Sequence, residues 1–218
     1  MTLDDDDLPY GEDFHDPAQA AAWADAAARK RPWRAEIFDR FAAIVAAEAR
    51  PGARVLELGS GPGFLAERVL DACPALARYT LLDFSEPMLA LSRQRLARHV
   101  DRSAFVQADF KADAWPAEAG GPFDFVLSQQ AVHELRHKRH APQLYARVRT
   151  LLTPGGTLVV CDHSPEGAPT LRHRRLYMSL DEHRSVLQTA RFTAVEVLWT
   201  AHAMAMLRAG RPSSGPAS

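Results

Sequence analysis

The chain has 218 residues, 47% of them hydrophobic, and a formal net charge of −1. This length suits one α/β domain with a short N-terminal extension better than two complete domains. A near-neutral charge provides no field to recruit nucleic acid, so we expect no nucleic-acid partner. With 2 cysteines, too few for a disulfide framework, and an acidic N-terminus without the apolar segment of a signal peptide, we expect a cytoplasmic protein with no membrane partner.

The first predicted elements are two helices that follow an acidic N-terminus. Residues 1–15 show little periodicity and are expected to be flexible. A capping Asp16 followed by Pro17 is typical of a helix start, so a helix is predicted to about Ala28. Apolar residues at helical spacing after Pro32 predict a second helix, which Pro51-Gly52 ends.

Strands and helices then alternate along the chain. Strands are predicted at 54–58, 79–82, 104–108, 123–127 and 157–161, followed by an antiparallel pair at 193–199 and 202–207. Helices are predicted at 62–72, from the N-cap Ser85 to about 97, at 142–152, where Thr153-Pro154-Gly155-Gly156 provides the stop, and at 180–189. Continuous apolar strands between helices indicate a mostly parallel sheet covered on both faces. Ligands of such sheets bind beyond the carboxyl ends of the strands.

The stretch Val55–Gly63 reads VLELGSGPG, with alternating glycines between the first strand and a helix. Such glycines let the chain turn tightly and pass close to a ligand. The dinucleotide fingerprint G-x-G-x-x-G needs its third glycine where this chain has Phe64. Glu57, just before the loop, would repel a pyrophosphate but can accept from an ammonium group. The loop therefore predicts a ligand that has an amino group and no phosphate nearby.

Acidic residues also end the next two predicted strands. Asp83, in TLLDFS, could accept two hydrogen bonds from a ribose diol. Asp109, in VQADF, could accept from the exocyclic amine of a base, and Phe84 and Phe110 could pack on that base. Any one of these acids alone is more often a cap or a surface charge. Together with Glu57 they predict a nucleoside site with an amino-acid-like end.

This ordered set of motifs resembles the class I S-adenosylmethionine-dependent methyltransferases of the small-molecule type. The resemblance covers about residues 54–207 and rests on VLELGSGPG, LLDFS, VQADF, FDFVLSQQAVHEL and LLTPGGTLVV. It implies S-adenosylmethionine as cofactor, S-adenosylhomocysteine as product, and a Rossmann-like α/β sheet of seven strands with the last antiparallel. It implies a methyltransferase domain over 51–208 with a helical lid over 16–50, while composition predicts a flexible segment over 1–15 and a disordered tail over 209–218.

The resemblance also assigns candidate cofactor contacts. These are Glu57, Gly59, Ser60, Gly61, Gly63, Asp83, Phe84, Met88, Ala108, Asp109, Phe110 and Gln129. Glu57 and the glycine loop are expected at the methionine moiety, Asp83 at the ribose, residues 108–110 at the adenine, and Gln129 near the transferring methyl. The fourth strand is followed by Ser128-Gln129-Gln130-Ala131 rather than by Asn-Pro-Pro-Tyr, which favours a small-molecule acceptor.

His133 and His163 are the predicted catalytic residues, either as a general base or as groups that orient the acceptor. Because the sulfonium is a good leaving group, most of the catalysis can come from positioning and desolvation. Predicted acceptor contacts are Trp33, Arg34, Arg174, Arg175 and Tyr177. Their arginines indicate an acceptor that could be anionic, although Arg31 or Arg34 could instead meet the cofactor carboxylate.

Other interpretations stay open. The run His133–His137, HELRH, matches the zinc-protease motif H-E-x-x-H, but it follows a buried strand too closely to be favoured, and no metal is expected. A protein that binds S-adenosylmethionine or its product without transferring the methyl group would carry the same cofactor motifs. Aminopropyl transfer is disfavoured because no acidic patch suits a polyamine. The edge strands near the C-terminus could pair in a homodimer.

Overall fold

The computed structural model describes residues 7–9, 11–165 and 171–213, with backbone only for residues 28 and 171–173. Residues 1–6 and 10 of the predicted flexible N-terminus and residues 214–218 of the predicted tail lie outside the described residues. None of the helices in the described part is long and apolar enough to cross a membrane.

Within these residues the fold is a sheet with helices on both faces. The strands are β1 (Arg54–Leu58), β2 (Arg78–Asp83), β3 (Ser103–Gln107), β4 (Phe123–Gln129), β5 (Leu152–His163), β6 (Thr193–Ala201) and β7 (Met204–Gly210). The α-helices are α1 (Pro17–Lys30), α2 (Arg34–Glu48), α3 (Phe64–Ala72), α4 (Glu86–Arg95), α5 (Trp115–Ala119), α6 (Ala141–Leu151), α7 (Leu171–Leu176) and α8 (Leu180–Thr189). Short 3-10 helices cover Ala97–Arg102, Val132–Leu135 and Lys138–His140.

The seven strands of the described chain lie in the order β3-β2-β1-β4-β5-β7-β6. Strands β1 to β5 pair in parallel, and β7 runs antiparallel to both β5 and β6. The predicted Rossmann-like sheet with an antiparallel last strand is confirmed. The strand order reverses between β1 and β4, and the crevice at such a switch point is where this architecture binds its ligands.

Successive residues of β1 enter two separate cores, because side chains alternate across a sheet. Leu56 and Leu58 join the core under α5, α6 and α8, which contains the buried Trp115 and Tyr145. Val55 joins the core under α2, α3 and α4. Burying a large apolar side chain stabilises a fold by about 1.5–3 kcal/mol, so both layers hold the strand ends firmly in place.

Strand β5 begins earlier than the sequence predicts. It starts at Leu152, so the predicted stop over residues 153–156 lies inside the strand. The register against β4 shifts between Phe123 and Phe125. Gly155 has φ of 81°, and a Cβ on Gly156 would lie 2.9 Å from the Thr153 carbonyl oxygen. The glycines therefore accommodate an irregularity in the pairing rather than end the element.

The predicted tail also begins too early. Ala209 and Gly210 pair with Leu158 and Thr157 of β5, and the Arg211 N–H donates to the Gly156 carbonyl at 2.8 Å. The boundary at residue 208 is wrong because a strand needs only backbone partners, which the Gly- and Pro-rich composition of the tail does not reveal.

Residues 7–9 and 11–15, the N-terminal strap, pack against the domain instead of standing free. The Leu8 N–H donates to the Arg136 carbonyl at 3.0 Å, and Arg136 Nε donates back to the Leu8 carbonyl at 3.0 Å. The Ser85 hydroxyl donates to the Phe14 carbonyl at 2.5 Å, and the Phe14 ring meets Trp23 edge-on. The strap therefore covers the carboxyl ends of the strands together with α1 and α2, contacts that the predicted flexible segment did not include.

Candidate active site

A cavity of about 360 Å³ lies beyond the carboxyl ends of β1, β2 and β4, under the strap. Its volume is within the range of about 300–1,000 Å³ that is usual for small-ligand sites. We divide its lining into a loop half, formed by Gly59–Gly61, Asp83, Phe84, Met88 and Phe110, and a histidine half, formed by Gln130, His133, Glu134, His163 and Tyr177. Arg34 and Gln129 line the cavity where the two halves meet.

The three loop glycines have positive φ for different structural reasons. A Cβ on Gly59 would lie 2.4 Å from the Ala131 Cβ, and one on Gly63 would lie 3.1 Å from Ser92 Oγ. A Cβ on Gly61 would meet nothing within 4 Å. Gly59 and Gly63 therefore permit close packing, whereas Gly61 faces the open cavity. Gly63 does not line the cavity.

Asp83 ties the glycine loop to the end of β2. Its Oδ2 accepts from the Gly61 N–H at 2.8 Å and its Oδ1 accepts from the Ser85 N–H at 2.9 Å. Burial raises the pKa of Asp83 to about 6, with the charge of Glu134 adding to the rise and the backbone hydrogen bonds opposing it. Each carboxylate oxygen accepts more than one hydrogen bond, so Asp83 keeps capacity for hydroxyl groups of a ligand.

Two buried polar atoms that line the cavity have no hydrogen-bond partner among the described residues: Arg34 Nε and Ser60 Oγ. Arg34 is 8% exposed and lies over the rings of Trp23 and Phe38. Burial and Arg31 lower its pKa to about 10, against the opposing effect of Glu57, so it remains a cation at neutral pH. A buried polar group without a partner costs about 1–3 kcal/mol, which a ligand that supplies an acceptor would remove.

Glu57 lies behind the glycine loop and does not line the cavity. It is 2% exposed, and the Tyr79 hydroxyl donates to its Oε2 at 2.7 Å. Burial raises the pKa of Glu57 to about 8, with Asp83 adding to the rise and Tyr79 and Arg34 opposing it. The structure thus places this predicted methionine contact beneath the site rather than on its wall.

The predicted adenine contacts are only partly brought to the cavity. Phe110 and Phe84 line it, but Ala108 is buried beside them and does not. Asp109 is exposed, and its Oδ1 accepts from the Lys111 N–H at 2.8 Å.

His133 is held between two carboxylates in the histidine half. Its Nδ1 lies 2.7 Å from Asp162 Oδ1, its Nε2 lies 3.1 Å from Glu134 Oε1, and its backbone N–H donates to Asp162 Oδ2 at 3.0 Å. Burial lowers the pKa of His133, but Asp162 and Glu134 outweigh burial and raise it to about 10. Burial likewise raises the pKa of Asp162, yet His133 outweighs it and lowers the value to about 2. His133 is therefore an imidazolium that donates from both nitrogens.

Three rings form one wall of the histidine half. His163 and Tyr177 have centroids 4.8 Å apart at 30°, and His133 meets His163 edge-on at 5.2 Å. The Nε2 atom of His163 lies 3.0 Å from Nε2 of Gln130. The two predicted catalytic histidines are thus brought together, with Tyr177 beside them.

Three predicted acceptor contacts do not line the cavity. Trp33 stacks on His202 with centroids 5.2 Å apart. Arg174 is exposed and Arg175 is partly buried, and neither reaches the cavity. Of the predicted set, Arg34 and Tyr177 do line it.

Sequence reasoning missed Asp162, which supports the site by contacting His133, and the strap residue Glu12, which lines the cavity. Asp162 is the penultimate residue of β5, close to the strand end as Asp83 is in β2, and this position is the signal that could have identified it.

The HELRH run does not form the α-helix that a zinc protease requires. Val132–Leu135 is a 3-10 helix that ends at Arg136, which has φ of 64°. His133 and His137 therefore do not lie on one face of an α-helix. Among the described residues, no group of three or more His, Cys, Asp and Glu side chains could hold a metal ion.

Comparisons with known proteins agree with this geometry. Residues 55–156 match the model of a family described as a methyltransferase domain. The ubiquinone/menaquinone biosynthesis C-methyltransferase UbiE of Paracoccus denitrificans is 33% identical over 145 residues, which are 65% of this chain and 52% of that protein. The chain thus spans about half the length, or less, of the curated relatives that it matches.

Solved structures show the same fold. An O-methyltransferase family protein from Burkholderia thailandensis superposes with a TM-score of 0.74 at 21% identity, over 92% of this chain and 62% of that one. Human N-acetylserotonin methyltransferase, solved in complex with S-adenosylmethionine, superposes with a TM-score of 0.65 at 15% identity, over 91% of this chain and 57% of that one. In its motifs, sheet order and strand-end site, the chain is thus similar to the class I S-adenosylmethionine-dependent methyltransferases, and residues 55–156 match a methyltransferase domain.

Proposed function

We propose that the protein catalyses methyl transfer from S-adenosylmethionine to a small-molecule acceptor. The observation that carries the proposal is that the loop half and the histidine half line one continuous cavity. The loop half has groups suited to a nucleoside, and the histidine half has a wall of aromatic rings. When bound, S-adenosylmethionine supplies a methyl group on a sulfonium. The sulfur–methyl bond breaks as the bond from the acceptor atom to the methyl forms, which leaves S-adenosylhomocysteine.

The loop half offers groups that fit each part of this cofactor. Asp83, Phe84 and Phe110 line the cavity, and we assign Asp83 to the ribose diol and the two rings to the adenine. Arg34 Nε and Ser60 Oγ, on residues that line the cavity, are buried donors without partners among the described residues, and a carboxylate would satisfy both. This favours Arg34 as a contact to the cofactor.

The histidine half favours positioning over base catalysis by His133. Both nitrogens of His133 donate to carboxylates, so this ring has no lone pair with which to accept a proton from the acceptor. Instead the Asp162–His133–Glu134 cluster fixes the wall against which the acceptor lies. Desolvation and alignment then supply the rate enhancement.

The size and shape of the cavity favour a small, planar acceptor. The cavity volume of about 360 Å³ lies at the lower end of the range of about 300–1,000 Å³ that is usual for small-ligand sites, and the strap bounds the cavity. The neighbouring rings of His163 and Tyr177, tilted by 30° to each other, offer an aromatic surface for a planar group. If the acceptor is an anion, the cations that line the cavity, Arg31, Arg34 and Arg136, are better placed to meet it than Arg174 or Arg175.

The test is production of S-adenosylhomocysteine from S-adenosylmethionine across a panel of small planar acceptors. Because relatives and structural neighbours include proteins named as C-, O- and N-methyltransferases, the panel spans phenols, amines and enolisable carbon acids. We expect turnover with at least one class and a KM for that acceptor about tenfold higher in Tyr177→Ala. Tight binding of S-adenosylhomocysteine with no turnover across the panel would instead support a non-catalytic binding protein.

A further inference from the structure

A hydrogen-bonded chain of side chains runs from the loop half to the histidine half. Arg34 Nη2 contacts Gln129 Oε1 at 3.0 Å, Gln129 Nε2 contacts Gln130 Oε1 at 2.8 Å, and Gln130 Nε2 contacts His163 Nε2 at 3.0 Å. The cavity wall formed by these residues is continuous from Arg34 to His163.

The direction of every bond in this chain follows from its first member. A guanidinium has only donors, so the Gln129 atom that faces Arg34 must be the amide oxygen. The Gln129 NH₂ group must then donate, which makes the facing atom of Gln130 its oxygen. The Gln130 NH₂ group donates in turn, so Nε2 of His163 must accept.

The backbone holds Gln130 where this chain needs it. Gln130 has φ of 52°, a conformation that residues other than glycine rarely adopt. Its N–H donates to the carbonyl of Cys161 at 2.8 Å, on the strand that carries His163 two residues later. Such a conformation persists where the surroundings over-determine it and is concentrated at functional sites.

We propose that Gln130 is a positioning residue that holds His163 as a neutral imidazole with its proton on Nδ1, through a hydrogen-bond chain whose direction is set by Arg34. His163 thus presents a fixed tautomer to the cavity, and its Nε2 lone pair is occupied by Gln130. The position of the proton on His163, in the histidine half, is in this way set by the Arg34 guanidinium at the boundary with the loop half.

A consequence for turnover rests on the proposed methyl transfer. While His133 is paired with its two carboxylates and Gln130 donates to His163, neither the His133 ring nor His163 Nε2 can accept a proton from the acceptor. The pH dependence of kcat/KM should then follow the ionisation of the acceptor and shift when the acceptor is exchanged for one of different pKa.

The tautomer is measured directly by ¹⁵N NMR of the histidine rings at neutral pH. The His163 signal is assigned by its absence from a His163→Asn variant. We expect the neutral Nδ1–H pattern in the unsubstituted protein. A neutral Nε2–H pattern or an imidazolium pattern at this position would overturn the proposal. This measurement needs no turnover, so its failure is distinct from a failure of the proposed function, which would appear as no product with the expected tautomer in place.

The variant Gln129→Glu tests the direction of the chain from a distance. A carboxylate can only accept, so the Gln130 amide must turn and present its oxygen to His163. His163 should then switch to carrying its proton on Nε2. Gln143→Glu, an isosteric change of the same charge at an exposed position of α6, is the control and should leave the pattern unchanged. The same response in both variants would contradict a directional chain.

Gln130→Asn tests the last link without demanding a new backbone conformation, because Asn tolerates positive φ but is too short to reach His163. We expect the single tautomer to be lost and the KM for the acceptor to rise about tenfold, with affinity for S-adenosylhomocysteine within about twofold of the unsubstituted protein. Retention of the Nδ1–H form in this variant would show that Gln130 does not set it.

Discussion

The loop half and the histidine half of the cavity differ in how far the protein satisfies its own polar groups. Where the loop half meets Arg34, two buried donor atoms lack partners within the described chain. In the histidine half, by contrast, His133 donates from both nitrogens to carboxylates and His163 Nε2 contacts Gln130. The difference indicates that the loop half is prepared to bind a polar ligand tightly, whereas the histidine half supplies shape and fixed charge.

Asp162→Asn should break the histidine half most severely. It removes the main partner of the buried His133 imidazolium, and breaking one partner of a buried ion pair costs about 3–5 kcal/mol. We expect that loss in the free energy of unfolding, measured by urea denaturation. Affinity of the folded variant for S-adenosylhomocysteine should stay within about threefold, because Asp162 does not line the loop half.

The control is Asp181→Asn on α8, whose side chain is 94% exposed and which should change stability by less than about 0.5 kcal/mol. Equal stability of the Asp162 and Asp181 variants would show that the His133 cluster contributes little.

Gly59→Ala and Gly61→Ala form a matched pair that separates packing from ligand contact. Both residues have positive φ, so both variants bear a similar conformational cost. Only Gly59→Ala places a Cβ against Ala131, and we expect it to be the less stable variant by about 1–3 kcal/mol in thermal or urea unfolding. Gly61→Ala should instead weaken S-adenosylhomocysteine binding. The opposite order of stabilities would contradict the packing described for the loop.

The pH dependence of binding should sharpen the role of Asp83. Its pKa is raised to about 6, and only the ionised carboxylate accepts both hydrogen bonds of a ribose diol. Affinity for S-adenosylhomocysteine should therefore be complete above this value and fall by up to about tenfold per pH unit below it. Calorimetric titrations between about pH 5 and about pH 8 measure this. If the affinity of Asp83→Asn for S-adenosylhomocysteine fell equally steeply with pH, the pH dependence would belong to another group.

The smallest expected effect is that of Arg174→Ala. Arg174 is exposed and outside the cavity, so stability should change by less than about 0.5 kcal/mol and binding should not change. Arg34→Ala, which removes a cation from the cavity, should weaken binding of S-adenosylhomocysteine clearly in the same titration. A large loss of S-adenosylhomocysteine affinity in Arg174→Ala would show that Arg174 contributes to the site after all.

The loop half was largely predictable because its residues follow the strands directly. A glycine loop after β1 and an acid at the end of β2 have their places fixed by the sheet, and Asp83 and Phe110 lie where the sequence puts them. The structural role of each glycine could not be predicted, because the contacts of Gly59 and Gly63 with other segments form only in the folded chain.

The histidine half was predictable only in part because it depends on turns and on pairing between distant segments. The sequence predicted that His133 and His163 lie at the pocket, and the structure brings both to the cavity, but the ion pair between His133 and Asp162 was not predicted. Arg174 was predicted at the acceptor by resemblance to the family, because it lies in the connection between β5 and α8. The sequence does not determine the path of this connection. Nothing in the sequence indicated that two carboxylates, Asp162 and Glu134, would contact the His133 ring.

The measurement that tests the account most directly is calorimetric titration of EDTA-treated protein with S-adenosylhomocysteine, in parallel with NAD and zinc. We predict one site with a Kd of about micromolar, weakened by about a hundredfold in Asp83→Ala and unchanged in the exposed control Asp101→Ala. Binding of NAD, or stoichiometric uptake of zinc, without binding of S-adenosylhomocysteine would contradict the assignment of the loop half.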